Sequence, residues 1–164
     1  YFAGLGFYPL IDPDEPVSGL DVSIRAQILD LLADMRDELH LTLLFISHDL
    51  SVVEFLSSRV GVMYLGRLLE VAPARQLFAA PGHPYTAGLR AAIPSIDPAV
   101  RVRPPAVRGE LPSAVHPPTG CVFRTRCPLA QPICETLPPP VPLGPERWAA
   151  CHFATQVAQT REVP

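Results

Sequence analysis

The chain has 164 residues, 48% of them hydrophobic and 18% charged, with a formal net charge of −3 at pH 7. That length suffices for one domain with a real core and an appendage, and the charge gives no electrostatic support for a nucleic-acid role. No apolar run approaches the roughly 20 residues needed to span a bilayer and no signal peptide is read, so membrane association is expected only through a partner.

Residues 1–8 are apolar and glycine-rich, and Pro9 to Asp14 predict a buried strand leading to paired carboxylates, Asp14 and Glu15. Pro13 interrupts that strand, since proline cannot donate to a sheet ladder. Asp21 is placed to cap a helix starting at Val22. Ile24, Ile28, Leu31, Leu32, Met35 and Leu39 form its apolar stripe, with Arg25, Asp30, Asp34, Arg36 and Asp37 mostly on a solvated face. Leu41 to Ile46 reads as a strand buried on both faces, which makes a βαβ unit and leads directly to His48. In parallel α/β sheets, ligands bind beyond the carboxyl ends of the strands. Asp14, Glu15 and His48 are therefore expected at one site. One carboxylate would help hold Mg²⁺, the other would orient or deprotonate a water, and the histidine would contact a terminal phosphate.

Asp49 is a cap for a helix over Leu50 to Ser58. Val60 to Tyr64 and Arg67 to Val71 predict two strands joined through Gly66, with Arg67 and Glu70 as exposed strand positions. Ala74 to Ala80 predicts a short helix ended by Pro81-Gly82. His83-Pro84-Tyr85-Thr86 then opens an amphipathic helix, with His83 as a capping residue, that stops at Pro94.

Fourteen of the 21 prolines lie between Pro94 and Pro145, so an extended or irregular tract with little core of its own is expected there. All four cysteines (Cys121, Cys127, Cys134 and Cys151) also fall in this part of the chain, with gaps of five, six and sixteen residues. Disulfides would need an oxidising compartment. Structural zinc favours closer Cys-x₂₋₄-Cys pairs, with His152 as a conceivable substitute ligand. An iron–sulfur cluster takes four thiolates from looser spacings. Unliganded thiols are the remaining reading. Trp148 is expected to pack over this region, and residues 154–164 to form a frayed tail.

Three stretches carry a family resemblance: Asp14-Glu15-Pro16, Ser18-Gly19-Leu20-Asp21 and Ser47-His48-Asp49-Leu50. They resemble the second Walker motif, the D-loop and the switch histidine of ABC-transporter ATPases. The resemblance implies that Asp14 organises the Mg²⁺ shell, Glu15 polarises the attacking water and His48 senses the γ-phosphate of ATP. Ser18, Gly19, Leu20 and Asp21 would communicate with the opposite subunit of an ATP-sandwich dimer. His83-Pro84-Tyr85-Thr86 with the following Ala92-Ile93-Pro94 is similar to the segment after the core in the oligopeptide/dipeptide (and nickel) importer branch. Gly120 to Pro128, Cys134 and Cys151-His152-Phe153 are similar to the same branch's C-terminal extension, where four cysteines can bind a 4Fe–4S cluster. Carried over, the ligands are Cys121, Cys127, Cys134 and Cys151, with Arg124 and Arg126 offsetting the cluster's charge.

The implied fold is α/β: the C-terminal part of a P-loop (RecA-like) ABC ATPase core over residues 1–80, then a proline-rich, cysteine-containing extension over 81–164. The chain contains no lysine, so the phosphate-cradling G-x-x-x-x-G-K-[ST] loop is not in it, nor is an LSGGQ-like signature. It is therefore expected to be a truncated form, inactive alone, of a bacterial ATPase subunit that drives peptide import. Its partners would be a second ATPase subunit, membrane permease subunits at the cytoplasmic face and, indirectly, a peptide-binding protein. The alternative is a non-catalytic iron–sulfur or zinc-binding docking module.

Overall fold

A computed structural model describes residues 10–11, 21–93 and 109–160. The fold is mixed α/β, in two compact units, Tyr1–Ser57 and Ser58–Pro164.

In the first unit, β1 (Leu10–Ile11) pairs in parallel with β2 (Thr42–Leu43), and α1 (Val22–Glu38) connects them. The start of α1 is fixed as the sequence predicts. Asp21 Oδ1 accepts from the Ser23 and Ile24 amides at 3.1 and 3.0 Å, satisfying donors that the first turn leaves over. The far end closes on His40, at φ 52°, with the Leu41 amide donating to the Arg36 carbonyl at 3.0 Å. Helix α2 (Leu50–Leu56) is capped by Asp49, whose Oδ1 accepts from the Ser51 amide at 3.0 Å.

Leu29, Val52 and Leu56 form the core of this unit, with Ile28, Leu32, Ala33, Leu43 and Phe45 against it. Two expectations are corrected here. The packed face of α1 centres on Leu29, while Ile24, Leu31 and Leu39 of the expected stripe are exposed. Arg25 and Arg36 are not simply solvated. Arg25 Nη1 reaches Asp49 Oδ2 at 2.9 Å, and Arg36 Nη1 donates to the Leu56 carbonyl at 2.9 Å, so the two arginines grip the opposite ends of α2. The second correction concerns Leu41 to Ile46, which is covered on one face only. Leu43 and Phe45 pack inward, whereas Leu44 and Ile46 are 50% and 51% exposed.

The second unit is built on an antiparallel four-stranded sheet in the order β3-β4-β6-β5. Strands β3 (Arg59–Tyr64) and β4 (Arg67–Pro73) form the expected hairpin through Leu65 and Gly66, at φ 46° and 75°, the left-handed pair that a tight primed turn requires. Helices α3 (Ala74–Ala79) and α4 (Pro84–Ala91) follow. After a 3₁₀ turn at Pro132–Glu135 come β5 (Pro140–Gly144), β6 (Arg147–Ala150) and α5 (Ala154–Gln159).

Residues 132–159 are thus more regular than their proline content suggests. Pro140 and Pro142 lie on β5, an edge strand, where a missing amide is tolerated. This part of the chain also supplies core, since Phe123, Val122, Ala149 and Val157 are buried. Because β6 hydrogen-bonds to β4, the hairpin packs with the later strands in one compact unit.

Candidate functional site

Asp14, Glu15, Ser18, Gly19 and Leu20, the larger part of the expected nucleotide site, lie outside the described residues. Asp21 is described, and its carboxylate is engaged at the head of α1. The Ile24 amide, then Ser23, holds its pKa below the usual carboxylate range. His48 follows β2 in the first unit and is exposed, on the same side of the alternation as Leu44 and Ile46. Beside it, the Asp49 amide donates to Ser47 Oγ at 3.0 Å.

The four cysteines lie in the second unit as free thiols, with Cys121, Cys134 and Cys151 buried and Cys127 partly so. Gly120 sets the first two side by side. Its φ is 72°, and a Cβ there would stand 2.4 Å from the Glu135 carbonyl and 2.5 Å from the Cys134 oxygen. That approach lets the Cys121 amide donate to the Cys134 carbonyl at 2.9 Å. Short turns then bring Cys127 back, through Arg124 N to Cys121 O at 3.0 Å and Cys127 N to Arg124 O at 3.4 Å. Cys151 directly follows β6, and its Sγ accepts from the Phe153 amide at 3.4 Å.

Burial raises the pKa of Cys121, and pushes Cys127 up to about 11 and Cys151 up to about 12. Charge on the neighbouring thiols adds to each rise, and for Cys151 all three of the others contribute. Burial thus favours the neutral thiol form of Cys121, Cys127 and Cys151. The expected metal role of Cys121, Cys127, Cys134 and Cys151 is not expressed as a ligating group. Among the described residues, no three His, Cys, Asp or Glu side chains are arranged to hold a metal ion. Arg124 is turned toward Thr119, donating to its carbonyl at 2.9 Å. His152 Nε2 lies 3.3 Å from the Thr136 carbonyl. Trp148 lines a cleft that Cys121 also lines.

One residue runs against the sequence reading. Glu70, expected to be exposed, is fully buried. Its Oε1 accepts from the Gly82 amide at 2.7 Å and its Oε2 from the His83 amide at 3.0 Å. Arg147 of β6 stands 3.7 Å from Oε1 and also donates to the Ala80 carbonyl. Burial raises the Glu70 pKa, against the lowering effect of these amides and of Arg147. His83 is the cap the sequence predicts, its Nδ1 accepting from the Tyr85 amide at 3.0 Å. Burial drives its pKa down to about 3, so the ring is neutral, and it packs on Phe123 with centroids 5.8 Å apart. Tyr64 and Tyr85 contact the same Phe123 ring, which ties α4 to the cysteine-bearing core. No sequence signal marks Glu70, because its partners come from a loop and from a strand much later in the chain.

Residues 69–134 match the family described as oligopeptide/dipeptide transporter, C-terminal region. That stretch runs from β4 through the Glu70 anchor and α4 to Cys134. The chain is 52% identical over 157 residues to a probable peptide ABC transporter ATP-binding protein of Sinorhizobium fredii, covering 94% of the chain and 44% of that relative. It is 49% identical over 147 residues to the oligopeptide transport ATP-binding protein AppF of Bacillus subtilis, covering 88% and 45%. The chain is therefore a relative of peptide-importer ATP-binding proteins, and it spans less than half the length of the relatives it matches. Among the described residues, no helix is long and apolar enough to cross a membrane.

Proposed function

We propose that this chain is part of the ATP-binding and ATP-hydrolysing subunit of an ABC importer for oligopeptides or dipeptides. The observation that carries the reading is the family match over residues 69–134, on a chain that also holds Asp14-Glu15-Pro16, Ser18 to Asp21 and His48 in the order the chemistry needs. Asp14 helps hold Mg²⁺, Glu15 orients the attacking water, His48 contacts the terminal phosphate, and Ser18 to Asp21 face a second ATPase subunit. The core is that of a P-loop (RecA-like) ATPase. Since these 164 residues contain no lysine, the loop that grips the phosphates must come from sequence outside them, and the chain alone neither binds ATP tightly nor turns it over. The division into core (1–80) and extension (81–164) concerns motifs and cuts across the second compact unit. The partners in this reading are a second ATPase subunit, permease subunits at the cytoplasmic face of a bacterial membrane and, indirectly, a peptide-binding protein. The test supplies the missing loop from a relative's GK[ST]-containing segment and measures ATP turnover. Turnover that appears with the segment and drops about 10²-fold or more with Glu15→Gln or His48→Ala supports the reading. Turnover by the chain alone, or turnover indifferent to both substitutions, refutes it.

A second reading concerns the four thiols. We infer a 4Fe–4S centre on Cys121, Cys127, Cys134 and Cys151, with zinc as the alternative. It rests on the four cysteines falling together in the second unit, three of them buried, and on the resemblance of their segment to the importer extension. Such a centre would supply a rigid cross-link or a one-electron couple. Anaerobic reconstitution with iron and sulfide should give broad visible absorbance at four irons per chain, whereas binding of zinc alone would overturn the cluster.

A further inference from the structure

The second unit carries an apolar cleft of about 280 Å³ that the nucleotide motifs do not use and whose wall includes Cys121. It lies against β4 and β6, walled by Leu68, Trp148, Leu137, Pro138 and Pro140. Arg67 is the one charged residue of its lining among the described residues. Apolar surface continues outward from the cleft. Leu68 is 45% exposed, Leu137 is 61% exposed, and Met63, which pairs with Leu68 across the hairpin, is 59% exposed. Single exposed apolar side chains are ordinary, but two on the wall of one concavity, with a third paired to one of them, mark a contact surface.

The cleft's size and charge narrow the occupant. Its volume lies just under the range of small-molecule pockets and suits one large side chain. The continuation onto an exposed rim favours a protein segment over a free small molecule. Arg67 is exposed and has no carboxylate partner among the described residues. A cation beside an apolar pocket selects a partner that presents an acid next to its anchor.

We propose that this cleft is a docking site for a segment of a partner protein that inserts one leucine-, methionine- or phenylalanine-type side chain and sets an aspartate or glutamate against Arg67. This inference stands apart from the ATPase reading, since it uses neither nucleotide nor metal.

Trp148 is the chain's single tryptophan and lines the cleft, so its emission reports occupancy directly. The test titrates the full chain with blocked peptides that pair Leu, Met or Phe with Asp or Glu one or two residues away. At least one should shift Trp148 emission saturably. Replacing its apolar anchor by alanine should weaken binding about tenfold or more. Arg67→Gln should weaken it roughly three- to fivefold, and that loss should vanish for the peptide's amide counterpart. No saturable response across the set, or a response unchanged by Arg67→Gln, would overturn the proposal. Arg67 is exposed and its side chain makes no hydrogen bond or ion pair among the described residues, and the urea midpoint of Arg67→Gln separates a loss of binding from a loss of stability.

Discussion

The carboxylate of Glu70 holds the amides of Gly82 and His83 at 2.7 and 3.0 Å, one on each oxygen. A strand position thereby dictates where the His83-Pro84-Tyr85-Thr86 turn begins. Arg147 completes the arrangement from β6, so the hairpin, α4 and the later sheet strands share one polar anchor.

Removing that anchor leaves buried groups without partners. Glu70→Ala strands two amides and removes the carboxylate facing the Arg147 guanidinium, which keeps only the Ala80 carbonyl, at an expected cost of about 3–5 kcal/mol. Glu70→Gln keeps one acceptor oxygen and should cost less, about 1–3 kcal/mol. Urea unfolding followed by Trp148 emission measures both, and equal losses for the two variants would contradict the assignment.

His83 gives this unit an acid sensitivity. Its folded-state pKa is about 3, whereas an unfolded histidine titrates near its ordinary value of 6.5. Below pH 6.5 the unfolded chain takes up a proton that the folded ring refuses until about pH 3. The contribution is thus fully present above pH 6.5 and falls with acidification by up to about 1.4 kcal/mol per pH unit. Glu70, its pKa raised by burial, works in the opposite sense, because acid relieves its buried charge. His83→Asn keeps a capping acceptor and should flatten the loss between pH 6.5 and 4 in denaturation curves. A slope unchanged by that substitution would assign the acid sensitivity elsewhere.

Glycines 66 and 120 share a positive φ but not a neighbourhood. Nothing lies within 4 Å of a Cβ at Gly66, whereas backbone stands 2.4 Å from one at Gly120. Gly66→Ala should therefore cost only the left-handed backbone term, about 1–2 kcal/mol. Gly120→Ala should cost about 2–4 kcal/mol, because the 134–135 segment must also move. Thermal unfolding of the two variants side by side checks the difference.

The raised thiols set the pH dependence of any metal uptake. Cys127 and Cys151, pushed up to about 11 and about 12, must each release a proton to ligate. Zinc affinity, read by chelator competition, should rise about tenfold per pH unit for each proton displaced between pH 6 and 8. Cys151→Ala should lower that slope, and a pH-independent affinity would mean that these thiols are not the ligands.

What the sequence disclosed was local. The cap at Asp21, the cap at His83 and the turn through Gly66 depend on residues within a few positions of one another, and all three stand as read. What it concealed was distant. The burial of Glu70 depends on Gly82, His83 and Arg147, which no periodicity connects to β4. Leu41 to Ile46 has the composition of a doubly covered strand, yet composition cannot show which of its faces is covered. For the nucleotide site, the motif residues were legible as a pattern, but of them only Asp21 and His48 fall among the described residues. The thiols were legible as a set. The close approach of the Cys121 and Cys134 segments depends on Gly120, which a reading for ligand spacing passes over.

The prolines of β5 have a consequence for self-association. Without N–H groups at 140 and 142, that border of the sheet offers an incoming polypeptide no regular row of donors. Among the described residues, the opposite border of this sheet is Arg59–Tyr64, a strand without proline and so with its row of donors intact.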